Sequence, residues 1–282
     1  EKPFCLTLKE CIAACEEVER QGVSLMVGES YLFTSAIIKA KELINNDEIG
    51  KPRQIRQRFG NFNLRGNVLF DRRSKDISWR EDSTKAGGSG YPWLFDHCVH
   101  FFALAEYFNN SPIKEVYSLT TPNFSHNKEV TLITWKHEDA ECQGVWMGAP
   151  PDNDKYYDSM EGFSMTVIGD KGMIEVLGEG GGGLQWQGKD AHLVLHSKGK
   201  ETLTFTFDEG GDEIWKSEVS YYSRAHRNQI HTFIDCLLHG NKPVYNGFDG
   251  MRAVRNAMAA ICSAKEGVPV LVKEVTDMRT SK

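Results

Sequence analysis

The 282-residue sequence has no long hydrophobic run, no CxxC pair and no excess of basic residues. Its apolar stretches are all shorter than the ~20 residues that a membrane-spanning helix needs, which argues against a membrane protein. With 33 Lys+Arg against 39 Asp+Glu, the net charge of -6 argues against nucleic acid as a partner. Because the cysteines number seven and none forms a CxxC, we expect reduced thiols and a cytoplasmic protein.

The sequence also lacks a convincing phosphate-binding turn. Gly178–Gly183 match the pattern G-x-G-x-x-G, but a dinucleotide fingerprint lies between a strand and a helix N-terminus that meets the pyrophosphate. The residues that follow, LQWQGKDAHLVL, resemble a strand and have no helical period, so a loop between strands is favoured. The sequence contains no serine or cysteine nucleophile motif, and no Cys/His cluster with zinc-ligand spacing.

The first 50 residues have the pattern of an α/β unit. Thr7 and Glu10 form a capping box at a helix start, and Gly22 is placed to end that helix. The continuous apolar run Val23–Gly28 predicts a buried parallel strand, and Ser35–Ile44 predicts a second amphipathic helix. We interpret residues 1–50 as the C-terminal remnant of a Rossmann domain, with its earlier strands outside this sequence.

Residues 51–282 predict a second domain of the α+β class, with a large, mostly antiparallel open sheet. β-rich runs alternate with polar turns, which predicts about six or more strands, and Gly169–Gly172 form the turn of the clearest hairpin. Two helices follow, ending at Gly240 and Gly267. We expect these final helices to pack back towards the first domain.

A glycine-rich turn, Gly87–Gly90, leads into an apolar helix that carries Asp96 and His100. Their i, i+4 spacing places both side chains on one helical face, where a carboxylate can orient the imidazole of a general base. The alternative is a structural role, in which Asp96 caps the helix and His100 is an ordinary core or surface histidine.

Lys2 and the pair Trp79-Arg80 are further candidates. An aromatic platform beside a cation suits a sugar or a nucleotide, whereas the residues around Lys2 give no local signal of a role. The structural alternatives are a solvated lysine and a charged surface loop, because the residues around Trp79 are strongly charged.

The order of these motifs resembles the glucose–fructose oxidoreductase/inositol dehydrogenase (Gfo/Idh/MocA) family over nearly the whole chain. The resemblance depends on the following segments: Glu1-Lys2-Pro3, Gly28, IIKAKELINNDEIGKPRQI, Trp79-Arg80, Gly87-Gly88, Asp96-x-x-x-His100, Gly169-x-x-Gly172 and Phe233–Val272. It implies a Rossmann domain that binds NAD or NADP, with the Glu-Lys-Pro motif after the dinucleotide site. About 90 to 120 residues of that domain would then precede Glu1, and the chain alone would be inactive.

The resemblance also implies roles for individual residues. Lys2 would hold the substrate hydroxyl and the nicotinamide ribose, and His100 would exchange the proton, oriented by Asp96. The implied cofactor-binding residues are Glu1, Lys2, Pro3 and Arg80. The implied substrate-binding residues are Lys2, Trp79, Asp96, His100 and His226.

The implied enzyme is a dehydrogenase or reductase that transfers hydride between the nicotinamide and a hydroxyl or carbonyl of a sugar, inositol or related polyol. Homodimers or homotetramers through the sheet face are implied too. Leu32, Cys98, Ala103 and the insertion Tyr91–Phe95 depart from common family residues, which affects the expected substrate more than the reaction. Two alternatives are an NAD-dependent, redox-neutral glycoside hydrolase of the same fold and a non-catalytic nucleotide sensor.

Overall fold

A computed structural model describes residues 1–59, 83–120, 131–148, 164–177, 191–207 and 220–276. Within these ranges the chain forms six α-helices, two 3-10 helices and nine strands. The α-helices are α1 (Leu8–Gln21), α2 (Ser35–Asn45), α3 (Ser83–Ala86), α4 (Pro92–Asn109), α5 (Ser220–His239) and α6 (Gly247–Glu266). The 3-10 helices are Ser30–Phe33 and Val272–Glu274. In the described part of the chain, no helix is both long and apolar enough to cross a bilayer.

The strands form one sheet, as the alternating β-rich runs predict. They are β1 (Pro52–Phe59), β2 (Ile113–Thr120), β3 (Thr131–His137), β4 (Gln143–Gly148), β5 (Ser164–Gly169), β6 (Gly172–Leu177), β7 (Ala191–Ser197), β8 (Leu203–Phe207) and β9 (Val270–Leu271). Their order is β8-β7-β6-β5-β1-β4-β3-β2-β9. Among these described strands, β1 and β4 pair in parallel and the other neighbours pair antiparallel. The large, mostly antiparallel sheet is therefore confirmed.

Local signals in the sequence place several boundaries correctly. The capping box of Thr7 and Glu10 starts α1, and Gly22 ends it in the left-handed conformation with φ 63°. β5 and β6 form the hairpin predicted around Gly169–Gly172. These features depend on hydrogen bonds between residues close in sequence, so the sequence pattern suffices to predict them.

The predicted strand at Val23–Gly28 is wrong. This segment forms an isolated bridge between Met26 and Asn246, and the Val27 N–H donates to the carbonyl of Tyr245. Val27 is buried at 2% exposure, whereas Val23 is 59% exposed. An apolar run becomes a strand only where a neighbouring strand pairs with it along its length, and here the described partner is the loop before α6.

One face of the sheet packs against helices. α2 contacts β6 and β7, α4 contacts β1, and α6 contacts β2. Aromatic rings join the layers, since Phe101 of α4 stacks on Trp146 of β4 at a centroid distance of 4.8 Å. α6 also packs against α1.

His137, at the end of β3, is fully buried and lies between two fixed partners. Nε1 of Trp135 donates to its Nε2 at 3.2 Å, and its Nδ1 lies 2.7 Å from the carbonyl oxygen of Ser111. A histidine with this pair of partners carries its proton on Nδ1 and has no room for a second proton on Nε2. Burial accordingly lowers the pKa of His137 below its ordinary value of 6.5.

This buried imidazole predicts acid destabilisation of the fold. The unfolded chain binds a proton at His137 near pH 6.5, whereas the folded chain resists it, so stability is complete above that pH and falls as the pH is lowered below it. The loss is ~1.4 kcal/mol for each pH unit until the lower folded pKa is reached. Urea unfolding midpoints between pH 8 and pH 5.5 measure the slope.

Two variants separate this effect from general acid sensitivity. His137→Gln removes the titrating group and is expected to flatten the slope between pH 7 and pH 5.5, although it lowers stability at pH 8. His239→Gln alters an exposed histidine at the end of α5 and is expected to keep the original slope. Equal slopes in all three proteins would contradict the role of His137.

Candidate active site

Helix α4 is held in place by the glycine turn that precedes it. Gly87, Gly88 and Gly90 all have positive φ angles. A Cβ on Gly88 would lie 2.5 Å from the carbonyl oxygen of Tyr91, which leaves no space for a side chain there. Tyr91 is the N-cap and Pro92 the first helical residue, a position that proline favours. Asp96 lies inside the helix, so the alternative that it caps the N-terminus is wrong.

Lys2 and Asp96 form an ion pair. Nζ of Lys2 lies 2.9 Å from Oδ1 of Asp96 and donates also to the backbone carbonyl of Asp96 at 3.1 Å. The Asp96 side chain is 8% exposed and that of Lys2 is 20% exposed. Oδ2 of Asp96 lies 3.4 Å from Nδ1 of His97. Asp96 therefore positions Lys2, and the structural alternative of a solvated lysine does not hold.

His100 is bound by a glutamate that the sequence analysis did not identify. Its Nδ1 lies 2.5 Å from Oε1 of Glu29, and both side chains are buried, at 8% and 1% exposure. The imidazole also stacks on the ring of Tyr31, with centroids 4.2 Å apart and an interplanar angle of 15°. The sequence predicts Asp96 as the carboxylate that orients His100, whereas the carboxylate found on Nδ1 belongs to Glu29.

Local structure fixes Glu29 in this position. Glu29 is the N-cap of the 3-10 helix Ser30–Phe33, and its side chain accepts from the N–H of Tyr31 at 3.3 Å. Burial raises the pKa of the nearby Tyr245 hydroxyl, and the negative charge of Glu29 raises that pKa further. A Cβ on the preceding Gly28 would lie 3.1 Å from Nε2 of Gln229, so α5 closes over this segment.

A capping pattern offers a local signal for Glu29. An acidic residue that directly precedes a short helical turn commonly accepts hydrogen bonds from the N–H groups of that turn. Nothing in the sequence, however, links Glu29 to a histidine 71 positions later. That contact exists because the Gly28 segment and α4 pack side by side in the fold.

The other predicted site residues lie in different surroundings. Glu1 is exposed, and its Oε1 would lie 3.5 Å from a Cβ placed on Gly28. The peptide bond between Lys2 and Pro3 is cis. His226 is exposed on α5, two residues before Asn228, whose Nδ2 donates to the carbonyl of Phe33 at 3.0 Å. Trp79 and Arg80 lie outside the described residues.

The arrangement suits proton transfer to or from a hydroxyl. Glu29 engages Nδ1 of His100, and within the described residues Nε2 has no partner. Lys2 has three N–H donors, of which the contacts with Asp96 account for two. An imidazole and an ammonium group are thus both fixed at one face of α4, because Asp96 and His100 are one helical turn apart.

Comparisons with known proteins support the same family as the sequence motifs. Residues 41–272 match the model of the oxidoreductase family C-terminal alpha/beta domain, GFO_IDH_MocA_C. The chain is 22% identical over 281 residues to 2,7-anhydro-N-acetylneuraminate hydratase of Mediterraneibacter gnavus, covering 94% of this chain and 69% of that protein. It is 24% identical over 279 residues to the uncharacterized oxidoreductase YrbE of Bacillus subtilis, covering 97% of this chain and 70% of the relative.

Solved structures share the fold. Scyllo-inositol dehydrogenase from Lactobacillus casei, with bound NAD(H) and scyllo-inositol, superimposes with a TM-score of 0.63 at 14% identity. That alignment covers 97% of this chain and 72% of the dehydrogenase. The family model spans most of the sequence, including β1, α4, α6 and the whole sheet core. This chain therefore belongs to the Gfo/Idh/MocA oxidoreductase family, whose C-terminal α/β domain it contains at residues 41–272.

Proposed function

We propose that the chain is part of an NAD(P)-dependent oxidoreductase that acts on a hydroxyl or carbonyl of a sugar, inositol or related polyol. The observation that carries the proposal is the pairing of Glu29 with His100 and of Asp96 with Lys2 at one helix. Sugars and inositols present adjacent hydroxyls. The imidazole of His100 can accept a proton and the ammonium of Lys2 can donate hydrogen bonds, which suits such a substrate. Relatives crystallised with scyllo-inositol and levoglucosan support the substrate class.

The residues divide the chemistry between them. A nicotinamide cofactor, when bound, would supply the hydride transfer. His100 takes the hydroxyl proton on Nε2 during oxidation, and Glu29 stabilises the resulting imidazolium through Nδ1. Lys2 places its positive charge against the same oxygen, where negative charge develops as the proton leaves. Asp96 holds Lys2 at this position and keeps the ammonium from rotating away.

A nicotinamide cofactor would be held at the side of the site near Glu1, Lys2 and Pro3. Glu1 lies beside Gly28, since a Cβ on that glycine would lie 3.5 Å from Oε1 and 3.7 Å from Cα of Glu1. We propose Glu1, Lys2, Pro3 and Arg80 as cofactor contacts. Trp79 and His226 are proposed as substrate contacts, in addition to Lys2, Asp96 and His100.

A redox-neutral reaction is the second candidate. One relative of this chain is named a hydratase rather than a dehydrogenase, which shows that similar sequences are not confined to net oxidation. Incubating the protein with NAD and candidate sugars separates the two candidates. Net NADH formation supports the oxidoreductase, and product formation without net NADH supports the redox-neutral enzyme.

Replacement of His100 tests the proposed proton transfer. His100→Asn is expected to lower kcat by about 10²–10⁴-fold, the usual contribution of a general acid or base, with KM changed little. The assay follows NADH absorbance with a panel of inositols, aldoses and anhydrosugars, using the protein as its gene encodes it. His226→Asn, an exposed histidine on α5, is the comparison variant. Retention of full kcat by His100→Asn would refute the assignment.

Glu29→Gln tests the positioning role of the newly found carboxylate. Glutamine keeps an oxygen that accepts from Nδ1 but removes the charge that supports the imidazolium, so kcat is expected to fall about tenfold or more, with KM little affected. Glu42→Gln alters an exposed glutamate on α2 and serves as the matched control. If Glu29→Gln lowers the melting temperature and leaves kcat unchanged, Glu29 has a structural role instead.

We also propose that the outer face of the sheet mediates self-association. Leu119, Leu132 and Met147 lie side by side on adjacent strands in the pairing register, and they are 50%, 38% and 40% exposed. A row of exposed apolar side chains on a sheet is typical of an interface between copies.

A charge placed on this row is expected to weaken the assembly. Leu132→Lys puts an ammonium at its centre and should shift the protein towards monomers in sedimentation experiments at micromolar concentration. Ile38→Lys changes a residue of similar exposure on α2, at 43%, and should leave the assembly intact. A wild-type protein that sediments as a monomer at high concentration would contradict the proposal.

A further inference from the structure

A cleft of about 440 Å³ lies beside α6, and none of its lining residues is Lys2, Glu29, Asp96 or His100. It is bounded by the end of α4, the start of β2, α6 and the segment that leads from β9 into the second 3-10 helix. Glu106 on its wall lies ten residues beyond Asp96, or roughly 15 Å further along α4. The charged lining residues are Glu106, Lys114, Glu138, Arg252, Arg255 and Lys273.

Two of these charges neutralise each other within the protein. Oε2 of Glu106 lies 2.8 Å from Nε of Arg252, and its Oε1 accepts from Asn256 at 2.8 Å and from the N–H of Ile113 at 3.1 Å. Arg252 also pairs with Asp249 at 2.5 Å. Both carboxylate oxygens of Glu106 are therefore engaged, and the charge of Arg252 is balanced by two carboxylates.

The remaining cations of the cleft lack such partners. Nε of Arg255 is buried and finds no hydrogen-bond acceptor in the described part of the chain. Within the same ranges no carboxylate lies at salt-bridge distance from Arg255, Lys114 or Lys273. A buried guanidinium N–H without an acceptor is unfavourable, and such groups commonly mark the place of a missing anion or water.

The neighbouring Asn256 adds a polar atom to the same wall. Its Nδ2 must face the carboxylate of Glu106, because a carboxylate only accepts hydrogen bonds. Oδ1, the other polar atom of this amide, is buried and has no donor among the described residues. A hydroxyl that accompanies an anionic group would supply that donor.

We propose that this cleft binds a small oxyanion, of the phosphate or carboxylate class. Arg255 engages the anion side-on, so that Nε and one terminal nitrogen each donate to one of its oxygens. Lys114 and Lys273 are exposed and supply the attraction at the mouth of the cleft. Glu138 is the one lining carboxylate without a described partner. Its repulsion of an anion is outweighed by the attraction of three cations, Arg255, Lys114 and Lys273.

Titration calorimetry with inorganic phosphate, and separately with malonate, tests the site at constant ionic strength set by chloride. Saturable binding of either ion is expected, and the two titrations distinguish a phosphate site from a carboxylate site. Arg255→Gln should weaken binding at least tenfold. Lys114→Gln changes an exposed residue outside the core and should weaken anion binding several-fold. The control, Arg20→Gln, removes one positive charge from α1 and should have no effect.

The outcomes are decisive in both directions. The proposal would be overturned if neither ion gave a saturable heat of binding at concentrations up to tens of millimolar. Equal binding by the wild type, Arg255→Gln and Lys114→Gln would also overturn it. Should Arg255→Gln fail to fold, Lys114→Gln still decides the question. The readout is anion binding alone, so its result does not depend on whether the protein has oxidoreductase activity.

Discussion

Helix α4 is buried along nearly its whole length, and this constraint organises both the core and the candidate active site. Leu94, Phe95, Phe101, Leu104 and Phe108 are each at most 1% exposed, so the helix is surrounded by protein on all sides. A helix in this position excludes water from its polar side chains as well. Polar groups removed from water must find partners inside the protein, or the fold loses several kcal/mol for each of them.

Asp96 and His100 meet that requirement through residues from other parts of the chain. Lys2 comes from the segment before α1, and Glu29 comes from the segment before the first 3-10 helix. Each pair places an acidic group against a basic one, which stabilises both in a low-dielectric setting. The contacts that satisfy the polar groups of this buried helix also fix the orientation of the Lys2 and His100 side chains.

The departures from common family residues are consistent with this tight packing. Leu32, Cys98 and Ala103 are buried at 1%, 0% and 2% exposure, and all three contribute to the hydrophobic core. A charged side chain at any of these positions would require its own partner. Among the polar groups on or beside α4, Lys2 pairs with Asp96 and Glu29 pairs with His100, which supports a candidate site built from these residues.

The sequence by itself determined the elements that local hydrogen bonds and side-chain periodicity specify. The capping box of Thr7, the hairpin at Gly169–Gly172 and the alternating strands were predictable, because each depends on residues a few positions apart. Family motifs also identified Lys2, Asp96 and His100 as candidates. The partner of each candidate was a separate question that motifs did not answer.

Only the tertiary structure decided those partners. Lys2 and Asp96 are 94 positions apart, and Glu29 and His100 are 71 apart, so no periodic pattern links them. The run Val23–Gly28 illustrates the same limit, since its composition favours a strand while its described neighbour is the loop at Tyr245 and Asn246. Composition and spacing specify the secondary structure that a segment prefers. Packing between distant segments specifies which side chains come into contact, because those contacts depend on how the whole core is buried.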